Sequence, residues 1–239
     1  MIIDFNAYVG HWPEHDIDLK AAGLPKLMES AGIDLAVASD LDTLYDAGHV
    51  DSIAALSDSR IVHFPIVSPG TDLSRWKNGR VKGIRIFPAY HDWSTLDDLL
   101  AQAEQARLVV HVCLRLRDQR LMIPIKESAD VMNQLEPAIE AHPGVRFVLT
   151  GATLFDIKDR KSLFVRPNVW VETSHIQYVM NGLLKLVDLV GSEHVLFGSN
   201  TPFYYTGSNI FRIKHSDTSD EVKDQILWRN AKTLLEEGR

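Results

Sequence analysis

The stretch His194-Val-Leu-Phe-Gly-Ser-Asn200-Thr-Pro-Phe203 carries a candidate strand, Val195 to Gly198, and places Asn200 at its exit. An amide there takes up no proton near neutral pH and binds a divalent cation much less strongly than a carboxylate would. Outward from it, further short β-branched or apolar runs recur: Ile2 to Asn6, Leu35 to Ser39, Ile61 to Val67, Gly83 to Phe87, Leu108 to Leu114, Arg146 to Thr150 and Val169 to Thr173. With Val195 to Gly198 they supply the eight strands that a closed parallel barrel needs.

Between the runs lie segments with apolar residues at spacings of three and four, among them Leu96 to Arg107, Ala129 to Ala141 and Tyr178 to Leu189. Gly32 and Gly191 stand where helices would stop, and Ser219 is placed to cap a last helix reaching Glu237. This alternation argues for βα units around a parallel sheet. A doubly wound sheet would use the same elements but would usually carry a glycine-rich phosphate turn, and neither G-x-G-x-x-G nor G-x-x-x-x-G-K occurs here. The expected fold is α/β, a single (β/α)8 TIM barrel covering residues 1–239 as one domain.

Four fragments, in order along the chain, carry a family likeness. They are Ile2-Ile-Asp-Phe-Asn6-Ala-Tyr8-Val-Gly10, Val81-Lys-Gly-Ile-Arg85-Ile, the Asn200 stretch, and Asn230-Ala-Lys-Thr-Leu-Leu235. They resemble the I-I-D-x-H-x-H-x-G, V-x-G-I-R/K, L-F-G-S-D-x-P-F and N-A-x-x-L-L segments of the amidohydrolase superfamily, in its amidohydrolase-related branch of decarboxylases and lactonases. In that family the paired histidines and the aspartate bind a catalytic metal, and the aspartate shuttles protons. Here the resemblance puts Asn6, Tyr8 and Asn200 at those positions. It also puts Gly151 where the sixth-strand histidine would be, so His111, on the fifth strand, alone keeps its ligand. The opening Asn6-x-Tyr8-x-Gly10-x-Trp12-Pro13 and the loop Arg115-x-x-Asp118-x-Arg120 resemble a side branch of the family, which implies a different solution for the active site.

The composition excludes several other classes. A net charge of -7 with scattered Lys and Arg speaks against nucleic acid as a partner. A single cysteine, Cys113, cannot close an intramolecular disulfide. No basic-then-apolar leader follows Met1, and no apolar run reaches about 18 residues, so the expected protein is cytoplasmic with no membrane contact. Homo-oligomerisation is expected only from the habits of the family.

Active sites of such barrels lie at the C-terminal strand ends. Strand alternation puts Asp4 and Asn6 on one face and His111, Cys113 and Arg115 on another. Zinc commonly takes three protein ligands of imidazole, carboxylate or thiolate type, and one histidine with amide or phenol oxygens is a poor substitute. The expectation is therefore no cofactor, with zinc on a site relocated to His11, His91, His175 or Glu172 as the alternative. Arg85, Arg115 and Arg120 present forks suited to a carboxylate, with Asp118 orienting one of them; solvated local ion pairs are the plainer reading. A structural pair between Arg85 and Asp4 or Glu172 would serve equally well. His111 and Asp118 are the candidates for proton transfer beside Asn200. Asn6, Tyr8 and Ser174 are candidate substrate contacts, though Ser174 would also suit a helix cap. Cys113 fits a small buried hydrophobe better than a nucleophile activated by His111.

Three functions follow. The first is a hydrolase- or lyase-type enzyme that acts on a small anionic, carboxylate-bearing substrate without the usual metal. The second is a barrel that has lost catalysis and binds a small anion or a protein. The third is a metal-dependent hydrolase with a relocated site.

Overall fold

A computed structural model of the chain describes residues 1–12, 17–46, 48–68, 70–76, 81–90, 96–116, 128–176 and 179–236. The β-branched and apolar runs form β1 (Ile3–Trp12), β2 (Ile17–Leu19), β3 (Leu35–Asp40), β4 (Ile61–His63), β5 (Gly83–Ile86), β6 (Val109–Cys113), β7 (Arg146–Thr150), β8 (Val169–Glu172) and β9 (Val195–Leu196). Every expected strand is present. The sequence reading missed β2, which folds back antiparallel on the long end of β1 with Gly10 opposite Leu19.

The strands pair in two series, β2-β1-β3-β4 and β5-β6-β7-β8-β9. Two seams join the series into a ring. At one, Thr201 forms a parallel bridge with Ala7, Phe5 N donates to Phe197 O at 2.8 Å and Asn200 N donates to Asn6 O at 2.9 Å. At the other, Ile66 bridges Arg85, and Arg85 N donates to Pro65 O at 2.9 Å. The fold is an α/β TIM barrel.

Helices Leu96–Gln105, Ser128–Ala141 and Gly182–Val190 lie where the apolar periodicity places them. Gly32, at φ 71°, ends the helix Leu24–Ala31 in the left-handed conformation that glycine adopts without steric cost. Ser219 Oγ accepts from Val222 N at 3.3 Å and caps the last helical segment. Among the described residues no helix is long and apolar enough to cross a membrane.

Inside the ring, Ile3, Phe5, Val37, Phe64, Val109, Val148 and Leu196 pack as an apolar floor. Burial of each such side chain is worth about 1.5–3 kcal/mol, which fixes the face each strand turns inward. One inward assignment from simple alternation needs correction. The β1/β3 register shifts between Asp4 and Ala7, so Phe5 joins the floor while its neighbour Asn6 also reaches Thr150, its Nδ2 donating to Oγ1 at 2.8 Å. Asp4 does not share this contact; it accepts from Ser199 N at 2.9 Å and Ser199 Oγ at 2.5 Å. A bulge of this kind re-aims side chains without ending the strand.

Candidate active site at the barrel centre

Above the floor the interior turns polar. Asn6, Arg85, His111, Thr150, Glu172 and Asn200 are all 0–1% exposed. Asn6 links three strands: its Nδ2 donates to Thr150 Oγ1 and, at 3.3 Å, to Asn200 Oδ1, and its Oδ1 accepts from Arg85 Nη1 at 3.3 Å. Asn200 sits at φ 57° and donates from Nδ2 to Leu116 O at 2.6 Å. A carboxylate at Asn200 would set an oxygen against that carbonyl, so the amide is the group that fits here.

Arg85 brings a buried positive charge to this interior. Its guanidinium lies over the Tyr8 ring, with Cζ 4.1 Å from the centroid, and Nη1 also donates to Ala7 O at 3.4 Å. Its Nε and Nη2 are buried and have no hydrogen-bond partner among the described residues. Neither Asp4 nor Glu172 pairs with it among the described residues. Asp4 is held by Ser199. Glu172 accepts from Thr150 Oγ1 at 2.6 Å, Gly151 N at 3.1 Å, Ser174 N at 2.6 Å and Ser174 Oγ at 2.7 Å. Gly198 makes room for this carboxylate, since a Cβ there would stand 2.2 Å from Glu172 Oε2.

His111 is in register with Arg85 on the adjacent strand. Neither ring nitrogen has a hydrogen-bond partner among the described residues, and the ring packs between Phe5 and Phe64 at centroid distances of 6.0 and 6.4 Å. Burial, and secondly the Arg85 charge, hold the imidazole neutral and push its pKa well below the usual value. Burial likewise pushes the Cys113 thiol up to about 12 and the Tyr8 phenol well above its usual value. Cys113 Sγ accepts from Tyr8 Oη at 3.6 Å. An unionised Cys113 is a buried apolar group and no activated nucleophile. Tyr8, Trp12, Phe87, Cys113 and Leu116 close over the centre, with Phe203 packed against them.

Arg115, expected to hold substrate, pairs through its two Nη atoms, while its Nε is buried without a hydrogen-bond partner among the described residues. Its Nη1 donates to Gly151 O at 2.7 Å and to Asp156 Oδ2 at 2.5 Å, and its Nη2 donates to Asp156 Oδ1 at 3.3 Å. Its carboxylate partner is therefore Asp156, which sequence distance hid. Burial alone would raise the Asp156 pKa, but the Arg115 hydrogen bonds and charge bring it below the usual range. Ser174 is fully buried, bonded to Glu172 and, at 2.9 Å, to His175 Nδ1. Asp118, Arg120 and His91 lie outside the described residues.

The positions where the resemblance implies metal ligands do not suit a divalent ion. Asn6 and Asn200 spend their amides on each other and on protein partners. Gly151 offers no donor, and a side chain there would strike Arg115, whose carbonyl oxygen lies 2.4 Å from the Cβ position. Arg85 already bonds the Asn6 oxygen. Unit charges about 4 Å apart interact by roughly 4 kcal/mol at an effective dielectric of about 20, and the repulsion of a divalent ion would be twice that.

Among the described residues a cluster that the sequence reading did not name, separate from His11 and His175, has metal-ligand spacing. Donor atoms of Asp40, Asp42 and His49 lie within 4.8 Å of one another at the C-terminal end of β3. His49 Nε2 is 3.2 Å from Asp40 Oδ2 and 3.9 Å from Asp42 Oδ2. His11 contributes only a backbone N–H to Asp42 Oδ1 among its described bonds, at 3.0 Å. Asp40 Oδ2 also accepts from Ser52 N at 2.7 Å and Ser52 Oγ at 2.5 Å. Burial opposes ionisation of Asp40, yet these bonds and that to His49 lower its pKa. The sequence signal was the pair Asp40-x-Asp42 directly after the candidate strand Leu35 to Ser39.

A family model described as Amidohydrolase matches residues 68–236. The chain belongs to the amidohydrolase family. Solved structures similar to this amidohydrolase include 5-carboxyvanillate decarboxylase from Sphingomonas paucimobilis, at 15% identity and a TM-score of 0.72, with 98% of each chain covered. A dihydroxybenzoic acid decarboxylase from Polaromonas sp. JS666, with bound manganese and the inhibitor 2-nitroresorcinol, matches at 14% identity and TM-score 0.74 over 100% of this chain and 97% of that one. A 2,6-dihydroxybenzoate decarboxylase complexed with 2,6-dihydroxybenzoate matches at 14% identity and TM-score 0.73 over 100% and 99%. At these identities the likeness concerns the fold. No curated protein matches the amidohydrolase described here.

Proposed function

We propose that this amidohydrolase is a single-domain enzyme of hydrolase or lyase type that binds a small carboxylate-bearing substrate on Arg85, with no divalent ion at the barrel centre. The observation that carries this reading is the buried guanidinium whose Nε and Nη2 lack a hydrogen-bond partner among the described residues. An unpaired buried cation is costly, and an anion on that edge removes the cost. The two nitrogens on one edge of the planar fork match the two oxygens of a carboxylate. Nη1 on Asn6 and the Tyr8 ring hold the fork in place. The dihydroxybenzoate bound by one solved relative is a carboxylate of this size class.

His111 is the proton acceptor in this reading. Arg85 is one of the two causes that keep it neutral. A carboxylate on Arg85 offsets that charge, so substrate binding raises the proton affinity of the imidazole and readies it as a base. Asn200 and Asn6 keep the polar wall fixed through their mutual bond, and Tyr8, Phe87 and Trp12 keep bulk water away. Arg115 serves the framework, as its contacts with Asp156 and Gly151 indicate.

The test is turnover. Wild-type protein is offered a panel of small carboxylic acids and carboxylated lactones, and products are read by mass spectrometry against His111→Gln and Arg85→Met. Turnover in wild type that is lost in both variants is expected. Saturable binding with no turnover would instead make the barrel an anion-binding protein.

The Asp40, Asp42 and His49 cluster favours a second reading, a metal-dependent hydrolase whose ion has moved to the end of β3. Two carboxylates and an imidazole are an ordinary donor set for zinc or manganese. Such an ion would supply Lewis acidity beside the mouth of the barrel.

A further inference from the structure

The polar interior does not end at Glu172. Ser174 Oγ donates to Glu172 Oε1 at 2.7 Å and lies 2.9 Å from His175 Nδ1. His175 Nε2 lies 3.3 Å from Tyr204 Oη. Ser174 has one hydroxyl proton, and it points at a carboxylate that can only accept. The 2.9 Å contact therefore requires His175 to donate from Nδ1, which leaves Nε2 to accept from the Tyr204 hydroxyl. For a neutral imidazole these roles set the direction of each bond. His175 is 4% exposed, whereas Tyr204 is half-buried. At the inner end, Glu172 Oε1 also accepts from Thr150 Oγ1, which accepts from Asn6 Nδ2, and Asn6 holds Arg85.

We infer that Tyr204, His175 and Ser174 form a proton path between solvent and Glu172, supplying the interior beside Arg85 with a proton that the aromatic cap otherwise bars. The transfer balances without a co-reactant. Tyr204 passes its hydroxyl proton to His175 Nε2 and takes one from water. His175 releases its Nδ1 proton to Ser174 Oγ, and Ser174 passes its own to Glu172 Oε1. One proton enters, Glu172 becomes neutral, and the imidazole has exchanged tautomers. Glu172 is suited to the terminus because its four donors keep the carboxylate in one orientation and present Oε1 to Ser174. His175 and Tyr204 act through Glu172 and are positioning residues. The path involves none of the atoms assigned to substrate binding, so it stands or falls separately from the role of Arg85.

A mere brace between the two exit loops would use the same bonds, and the two roles predict opposite signs for one measurement. In 15N-labelled full-length protein, the His175 ring signals are assigned by their loss in His175→Gln. Solvent exchange of the His175 Nδ1 proton is then compared between wild type and Tyr204→Phe. A proton path predicts an Nδ1–H tautomer in wild type and exchange slowed by about tenfold in Tyr204→Phe, the rate equivalent of one lost hydrogen bond. Exchange that is unchanged or faster in Tyr204→Phe would overturn the path, because loosening a brace exposes the proton. An Nε2–H tautomer in wild type would overturn it too, and that readout needs no variant to fold.

Discussion

Arg85 on β5 and His111 on β6 are partners in register, and both bury nitrogens without a hydrogen-bond partner among the described residues: Nε and Nη2 of Arg85, and Nδ1 and Nε2 of His111. Natural proteins satisfy nearly all buried polar groups, so two neighbouring exceptions mark a place built to receive something. The charge already present is positive, and the ligand that complements it is an anion.

Arg85→Met should leave the free protein as stable as wild type or raise its stability by about 1–4 kcal/mol, because an apolar side chain of similar length replaces a buried cation that lacks an ion pair. Urea unfolding checks this. A loss of about 3 kcal/mol or more would mean that the guanidinium is paired within the protein.

His111 predicts a pH dependence of known sign. Its folded pKa lies well below the unfolded one, so the unfolded chain takes up the proton first as pH falls. Wild-type stability should therefore drop by up to about 1.4 kcal/mol per pH unit below about pH 6.5. His111→Leu should lack this component. Unfolding curves that run parallel for the two proteins between pH 5 and pH 7, to about 0.3 kcal/mol, would show that the imidazole is not held neutral.

Asp156→Asn should cost roughly 1.5–3 kcal/mol at neutral pH, the value of hydrogen bonds to a charged group. The Asp156 pKa is lowered in the folded state. Its contribution is thus fully present above the unfolded pKa of about 3.9 and fades as pH falls through the folded value. The gap between variant and wild type should close below about pH 4, as urea titrations at stepped pH would reveal.

Much of this was legible in the chain. Runs such as Arg146 to Thr150 and Val169 to Thr173 declare themselves as strands through their short apolar cores, Phe147-Val-Leu149 and Val169-Trp-Val171, as buried parallel strands require. Asn6, Arg85, His111 and Asn200 could be brought to one place because Arg85 and His111 lie within such runs and Asn6 and Asn200 at or just past the ends of two others. What stayed hidden depends on contacts between distant residues. The bulge after Asp4 breaks the alternation that had put the Asp4 and Asn6 side chains on one face, although Asp4 Oδ1 still accepts from Asn6 N at 3.1 Å. The partner of Arg115 is Asp156, 41 residues away, and no local pattern selects it over Asp118. The Asp40, Asp42 and His49 grouping depends on how the segment after β3 folds back, which spacing does not encode.

Elemental mass spectrometry on untagged protein purified without chelators separates the two functional readings. The barrel-centre account predicts that any tightly held zinc or manganese is unaffected by Asn6→Ala and Asn200→Ala. If Asp40, Asp42 and His49 hold an ion, about one equivalent should disappear in Asp42→Asn, His49→Ala. Loss of metal in the asparagine variants would contradict the account.

The most direct measurement follows the Arg85 Nε–H and His111 ring signals by NMR while benzoate, a small carboxylate probe, is added. The account predicts a saturable shift of Arg85 Nε–H, a rise in the His111 pKa on saturation, and loss of benzoate binding in Arg85→Met. Binding that persists in Arg85→Met, or an Arg85 signal that never moves, would contradict it.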